Sequence, residues 1–184
     1  IGTFLHYLLE NVTRDVLAQG GFAAVDNDRL HGLVRQYIDQ YAAQELHNFQ
    51  NRNARFQYLF RRLRNTAYAV IDQVAEELRH SDFIPMAFEL SFGGKDGTLP
   101  AVTISQPDGE LRVGGKVDRV DGWIRDDKLF LRVVDYKSGK KKFDLANVRM
   151  GLDIQMLLYL FALQKEGKRY FGREIEPAGV LYLP

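Results

Sequence analysis

The spacing of apolar residues in this chain changes from helical to strand-like near residue 80. Before that point, apolar residues recur at helical spacing, which predicts helices, the last of them a long helix over about 51–79. After it, four apolar segments bounded by turn residues predict strands, which span 86–90, 102–104, 111–120 and 129–136. The pattern then predicts a helix over about 147–166 and a last strand over 178–183. Helices followed by strands predict an α/β fold of α+β character, with helices packed around a central sheet.

The length and composition predict one domain with a substantial core. The 184 residues are 46% hydrophobic and 27% charged, as in ordinary soluble globular proteins. We expect residues 1–184 to form this single domain, with a helical part over 1–82 and a sheet-plus-helix core over 83–184. Since the chain begins without Met and stops just after an apolar strand, we expect it to be a fragment of a larger protein.

Several classes of protein are disfavoured by features that the sequence lacks. It has no apolar run of about 18 residues, which a membrane span requires, and no basic segment with a cleavage site at its start. It has no cysteine, so disulfides and thiolate metal sites are excluded within it, which is compatible with the cytoplasm. The net charge is only +1, so any binding of nucleic acid must depend on local basic patches.

Two aspartates and a lysine lie near the ends of two neighbouring predicted strands. Asp135 and Lys137 are two residues apart and therefore share one face of a strand, and Asp118 precedes the hairpin that returns as that strand. Carboxylate oxygens that converge in this way favour Mg²⁺ or Mn²⁺. Lys137 would orient or deprotonate a water molecule, or stabilise negative charge, in metal-assisted hydrolysis of a phosphodiester.

A single Asp-x-Lys is more often a solvated strand face, but its surroundings here favour a catalytic role. Two valines precede Asp135, which predicts a buried strand that delivers its polar residues at its end. The glycines at 114–115 would let the backbone of a ligand approach closely to Asp118. Asp121 has the opposite strand parity to Asp118, so we interpret it as a structural partner of Arg119 or of a turn.

Five sequence blocks in a fixed order carry a resemblance to one nuclease family. They span 2–10, 88–90, 115–121 (Gly-Lys-Val-Asp-Arg-Val-Asp), 134–139 (Val-Asp-Tyr-Lys-Ser-Gly) and 151–160. With them the chain resembles RecB-type nuclease domains of the PD-(D/E)XK superfamily, and within that group the C-terminal nuclease domain of AddB-type subunits. The resemblance implies a restriction-endonuclease-like core with a mixed central β-sheet. It also implies a Mg²⁺-dependent exodeoxyribonuclease, in which Mn²⁺ substitutes for Mg²⁺.

The resemblance implies a role for each residue that matches a family motif. The implied metal ligands are His6, Asp118, Asp135 and the carbonyl of Tyr136. The implied catalytic residues are Asp118, Asp135, Lys137, Glu89, Gln155 and Tyr159. Gln155 and Tyr159 lie four apart on a helix, so both would face the same DNA phosphate or the lysine. These roles have plainer alternatives. His6 would lie at the edge of a core, Glu89 would be a solvent-facing strand residue, and Gln155 and Tyr159 would belong to a helix surface that packs on the sheet.

The resemblance also implies a cellular setting and partners. It implies a bacterial, cytoplasmic helicase–nuclease that processes double-strand breaks for recombinational repair. The implied partners are DNA, as single strands or unwound duplex ends, and an AddA-type helicase–nuclease subunit. Family members usually hold an iron–sulfur cluster with cysteines that flank the nuclease core. This chain has no cysteine, so a cluster would require cysteines elsewhere in the full-length protein.

Basic residues are candidate contacts to the DNA backbone. Lys140, Lys141 and Lys142 follow directly after the strand that carries the predicted site, and Arg55 and Arg62 share one side of the long helix. A solvated helix face is the alternative interpretation of the two arginines.

Three other functions fit the same sequence. One is a stand-alone RecB-type exonuclease of a phage or a CRISPR-associated system, which would perform the same chemistry without the partner subunit. The second is a catalytically silent DNA-binding module with a decayed site, and the third is a plain interaction scaffold. The complete set of His6, Asp118, Asp135 and Lys137 disfavours the silent module.

Overall fold

The computed structural model divides into two compact units, Ile1–Ser81 and Asp82–Pro184. The residues that it describes are 2–45, 54–93, 97–137, 150 and 154–183. No helix within these ranges is long and apolar enough to cross a membrane. The prediction that the whole chain forms one domain stays a prediction.

The first unit is helical, as the apolar spacing predicts. Its helices are α1 (Gly2–Ala18), α2 (Asn27–Glu45) and α3 (Ala54–Arg79). Helix α1 is followed by Gly20, whose φ of 101° is one that other residues rarely adopt. Helix α2 begins after Asp26, which caps it by accepting a hydrogen bond at 2.8 Å from the N–H of Arg29. The predicted start of α3 at 51 lies outside the described residues.

The core of the first unit consists of the apolar faces of the three helices. Leu8, Val12, Val34, Ile71 and Val74 are all fully buried. Those that share a helix, in α1 and α3, lie three or four positions apart, which places them on one side of it. Burial of these stripes, more than helix propensity, is what stabilises helices of this length.

The second unit is built on a mixed sheet. Its elements are β1 (Ile84–Phe92), β2 (Val102–Gln106), β3 (Gly109–Val113), β4 (Gly115–Arg125), β5 (Lys128–Tyr136), α4 (Gln155–Glu166), α5 (Lys168–Phe171) and β6 (Ile175–Leu183). The sheet order is β1-β4-β5-β6, in which β5 and β6 are parallel and the other neighbours antiparallel, and β2 pairs with β3 separately. Helix α4 and strand β5 contribute to one buried apolar cluster, which includes Leu160, Leu163, Leu131 and Val133. The predicted mixed sheet flanked by helices is confirmed.

Three predicted elements have different boundaries in the structure. The single strand predicted over 111–120 is two strands that separate at Gly114, because β3 pairs with β2 while β4 pairs with β1 and β5. The helix predicted over 147–166 begins at Gln155 among the described residues. The last strand begins at Ile175, since its parallel pairing with β5 starts there. The short helix α5 is absent from the prediction.

The β4–β5 hairpin has a two-residue turn, Asp126–Asp127, with φ values of 50° and 61°. Such a turn matches the twist of an antiparallel hairpin and fixes its register. Arg125 therefore pairs with Lys128. This register determines which residues face each other at the far end of the hairpin.

Candidate active site

The β4–β5 hairpin brings Asp118 and Asp135 to the same end of the sheet. Its backbone ladder ends at the pair of Arg119 and Val134, and the two aspartates follow directly beyond that pair. The N–H of Tyr136 donates a hydrogen bond at 2.8 Å to Oδ2 of Asp118. The two carboxylates predicted from sequence are therefore on adjacent strands and on the same face of the sheet.

Glu89 joins this group from β1, the strand on the other side of β4. Phe88 pairs with Arg119 and Leu90 with Val117, which places Glu89 level with Asp118. A carboxylate oxygen of Glu89 lies within 4.8 Å of one of Asp118. The φ of Glu89 is 51°, a conformation that non-glycine residues adopt mainly where the surrounding structure enforces it.

Lys116 is a residue of the site to which the sequence analysis gave no role. Its Nζ forms an ion pair with the carboxylate of Glu89. The signal was available, because Lys116 is two residues before Asp118 and therefore shares its face of β4. What sequence could not give is the pairing of β1 with β4, which brings Glu89 within reach.

Asp135 and Lys137 lie at the end of β5. Nζ of Lys137 is 2.7 Å from Oδ2 of Asp135, but at an angle outside hydrogen-bond geometry. That oxygen is buried and accepts no hydrogen bond from any residue that the structure describes. A buried carboxylate oxygen is rarely left in this way without a functional reason.

A cavity of about 440 Å³ opens beside these two residues. Asp135, Lys137, Gln155 and Tyr159 are among the residues that line it. Nε2 of Gln155 donates a hydrogen bond at 2.6 Å to the hydroxyl oxygen of Tyr159. The structure thus brings together four predicted catalytic residues from β5 and α4.

Gly115 makes room for Tyr159 and not for a ligand, so the interpretation of that glycine from sequence is wrong. A Cβ atom at Gly115 would overlap the hydroxyl group of Tyr159. The tyrosine ring is held in place by stacking on Phe92, with ring centroids 5.5 Å apart and planes 5° from parallel. At Gly114 a Cβ atom would lie 3.0 Å from the carbonyl oxygen of Phe92, but Gly114 itself lines the cavity, so the close approach of a ligand there stays a prediction.

Asp121 is confirmed as a structural partner of Arg119. Nε and Nη2 of Arg119 donate to the two carboxylate oxygens of Asp121 at 2.7 and 2.9 Å, and both side chains are 0% exposed. Burial alone would lower the pKa of Arg119, but Tyr136 and Asp121 raise it above its ordinary value. Burial raises the pKa of the Tyr136 hydroxyl to about 12, although the positive charge of Arg119 acts to lower it. The hydroxyl therefore stays protonated.

The oxygen atoms at this end of the sheet fit a hard divalent cation. Glu89 and Asp118 offer carboxylates close to each other, and Asp135 offers a buried oxygen that accepts no hydrogen bond within the described ranges. His6, the predicted imidazole ligand, lies in α1 of the first unit and is partly buried. Its role and that of the Tyr136 carbonyl stay predictions.

The predicted DNA contacts lie in two parts of the chain. Arg55 and Arg62 are exposed on α3, and the guanidinium of Arg62 lies 6.0 Å from the ring centroid of the exposed Tyr58. The lysines at 140–142 lie outside the described residues.

The comparisons with known proteins agree with this arrangement of residues. The sequence model of the PD-(D/E)XK nuclease superfamily matches residues 1–184. An ATP-dependent helicase/deoxyribonuclease subunit of Clostridium tetani is 31% identical to the chain, and the proteins of the same name from Acetivibrio thermocellus and Clostridium botulinum are 34% and 32% identical. These alignments cover 99%, 99% and 100% of this chain, but the chain spans only 16% of the length of each relative.

Proposed function

Because this chain belongs to the PD-(D/E)XK nuclease superfamily, we propose that it hydrolyses phosphodiester bonds of DNA at the cavity beside β5 and α4. The observation that carries the proposal is the convergence of Asp135, Lys137 and Gln155 on one cavity, with Asp118 on the neighbouring strand β4, directly beyond the last β4–β5 pair. A pair of carboxylates with a lysine supplies the groups that metal-assisted hydrolysis of a phosphodiester requires.

The proposed cofactor is Mg²⁺, with Mn²⁺ as a substitute. Asp118 and Asp135 would hold it, together with His6 and the carbonyl of Tyr136. When bound, the ion polarises a phosphoryl oxygen and lowers the pKa of a coordinated water. The buried oxygen of Asp135 supports this assignment, because it accepts no hydrogen bond from the described residues and forms only an ion pair with Lys137.

The side chains around the cavity have separate tasks in the proposal. The ammonium of Lys137 orients the attacking water and stabilises negative charge that develops on the phosphate. Gln155 and Tyr159 hold one oxygen of the scissile phosphate, since their hydrogen bond fixes both polar groups on the cavity wall. Glu89 completes the acidic end of the sheet beside Asp118.

The proposed setting is a bacterial helicase–nuclease that processes double-strand breaks for recombinational repair. The relatives are named as ATP-dependent helicase/deoxyribonuclease subunits, and the match to each covers 16% of its length. We therefore place this chain as an exonuclease domain of such a protein, in the cytoplasm, with an AddA-type partner. Single strands and unwound duplex ends are the proposed substrates. An iron–sulfur cluster would need cysteines outside this chain, which has none.

Exposed cations would hold the DNA backbone. Arg55 and Arg62 on α3 are proposed as phosphate contacts because both are exposed, and the neighbouring exposed Tyr58 would offer a ring on which a base can stack. Lys140, Lys141 and Lys142 are proposed as further phosphate contacts from their place in the sequence alone.

Cleavage of end-labelled single-stranded and linear duplex DNA tests the proposal. With Mg²⁺ or Mn²⁺ the protein should shorten the DNA, and EDTA should abolish the reaction. Asp118→Ala should abolish it too, while Asp108→Asn, an exposed aspartate in the β2–β3 turn, should leave it unchanged. Absence of cleavage together with absence of calorimetric Mn²⁺ binding would refute the proposed function.

A further inference from the structure

Four side chains form a hydrogen-bonded cluster on the face of the sheet opposite Asp135. We call it the back-face cluster, and its members are Arg119, Asp121, Arg132 and Tyr136. In addition to the bonds between Arg119 and Asp121, Nη1 of Arg119 donates to the hydroxyl oxygen of Tyr136 at 3.0 Å. Nε of Arg132 donates to Oδ2 of Asp121 at 2.9 Å. One guanidinium thus joins β4 to the last residue of β5.

Stability alone is a weak reason for such a cluster. It buries one guanidinium and one carboxylate fully and a second guanidinium, that of Arg132, in large part, and removal of charged groups from water carries a large desolvation free energy. Well-packed apolar side chains of similar volume often stabilise a core as well or better. A planar guanidinium with three directed bonds does provide something that apolar groups lack, which is a fixed geometry between the atoms that it joins.

The cluster acts where the backbone ladder between β4 and β5 has ended, while on the other edge of β5 the parallel ladder with β6 continues to the pair of Tyr136 and Leu183. The β4–β5 ladder ends at the pair of Arg119 and Val134, two residues before Tyr136. Beyond that pair, the described bonds that tie Tyr136 to β4 involve side chains. Its N–H is bound by Asp118 on one face, and its hydroxyl is bound by Arg119 on the other. Two consecutive residues of β4 therefore hold the end of β5 from both faces.

We infer that Arg119 is a positioning residue that, through the hydroxyl of Tyr136, fixes the end of β5 against β4 and so the placement of Asp135 and Lys137 relative to Asp118. The residues on either side of Tyr136 point to the opposite face, so any rotation of its peptide units would displace both. The consequence for metal binding rests on the proposed function, in which Asp118 and Asp135 hold a cation. Outer groups that orient metal ligands typically change metal affinity by about 10- to 100-fold.

Tyr136→Phe tests the inference with the smallest change, because it removes one hydroxyl and retains the ring. Tyr37→Phe is the matched control, since the hydroxyl of Tyr37 donates to Oδ2 of Asp15 at 2.7 Å in the first unit. Calorimetric titration should show Mn²⁺ affinity about tenfold weaker in Tyr136→Phe and unchanged in Tyr37→Phe. A merely structural role would lower the unfolding temperature of both variants without this difference.

Amide hydrogen exchange without metal provides a readout that is independent of the proposed function. In Tyr136→Phe the amide of residue 136, which Asp118 binds, should exchange faster than in the wild type, while that of Val133 should be unchanged. The amide of Lys137 donates to the carbonyl of Leu183 in β6 and therefore reports the β5–β6 ladder instead. Unaltered exchange at 136 would overturn the inference, and so would faster exchange with unaltered Mn²⁺ affinity. If the wild type fails to bind Mn²⁺ at all, the proposed function fails, and the exchange rates alone decide whether Arg119 and Tyr136 fix this strand end.

Discussion

Replacement of Gly115 by alanine is expected to displace Tyr159 from the wall of the cavity. The new methyl group would overlap the tyrosine hydroxyl and crowd the adjacent ring carbons, so rotation of the hydroxyl cannot relieve the clash. The ring itself is confined by its stack on Phe92. Either the ring or β4 must therefore move. If the ring moves, the hydroxyl that accepts the hydrogen bond from Gln155 moves with it.

The expected loss of stability follows from the contacts that change. Overpacking of a well-packed core destabilises by about 1–3 kcal/mol. Loss of the stack on Phe92 adds about 0.5–1.5 kcal/mol, and loss of the hydrogen bond from Gln155 adds a similar amount. Because a ring that moves relieves part of the overpacking, we expect a total of about 2–4 kcal/mol. Misplacement of groups that hold the substrate should lower DNA cleavage by about 10- to 100-fold.

Denaturant unfolding and DNA cleavage of Gly115→Ala measure these two effects. Gly32→Ala is the matched control, because a Cβ atom at Gly32 in α2 meets nothing within 4 Å, and it should stabilise the protein by about 0.5–1 kcal/mol. In a Tyr159→Leu background, Gly115→Ala should be much less destabilising, since the hydroxyl is gone. Equal stability and activity of Gly115→Ala and Gly32→Ala would refute the packing argument.

Three further predictions address catalysis, pH and DNA binding. Lys137→Met should reduce DNA cleavage about 100-fold or more. Mn²⁺ binding, measured by calorimetry, should persist or strengthen, because the ammonium 2.7 Å from Asp135 is removed. Loss of Mn²⁺ binding would contradict this. Burial and the neighbouring carboxylate of Asp15 raise the pKa of Tyr37 from 10.0 to about 12, so the folded state retains the hydroxyl proton more tightly than the unfolded state. Urea unfolding should therefore show a loss of stability from pH 10 to 12, and this loss should be smaller in Tyr37→Phe. Arg55→Ala with Arg62→Ala should lower the salt dependence of oligonucleotide binding by about two units of slope, and an unchanged slope would exclude phosphate contacts there.

The placement of Asp118, Asp135 and Lys137 can be predicted from sequence because it depends on local rules. Period-two alternation puts Asp135 and Lys137 on one face of β5, whatever surrounds the strand. The turn at 126–127 fixes the register of β4 against β5, and that register places Asp118 beside Asp135. The opposite parity of Asp121 likewise indicates its structural role, which its bonds to Arg119 bear out. The roles of these residues in catalysis stay predictions.

The contacts between distant segments were decided only by the tertiary structure. The sequence does not show that β1 pairs with β4, which brings Glu89 beside Asp118 in a positive-φ conformation. It does not show that α4 lays Tyr159 against Gly115. Nor does it show that the ladder between β4 and β5 stops short of Tyr136, while that between β5 and β6 includes it.

The physical reason is the range of each interaction. Side-chain direction along a strand and the register of a tight hairpin follow from backbone geometry within a few residues. Which strand joins a sheet edge, and which helix covers its face, depends on how well large apolar surfaces fit once they are brought together. The sequence alone therefore determined the face and register of the acidic residues and the lysine, and tertiary packing determined the cavity, the position of Glu89 and the cluster behind the site.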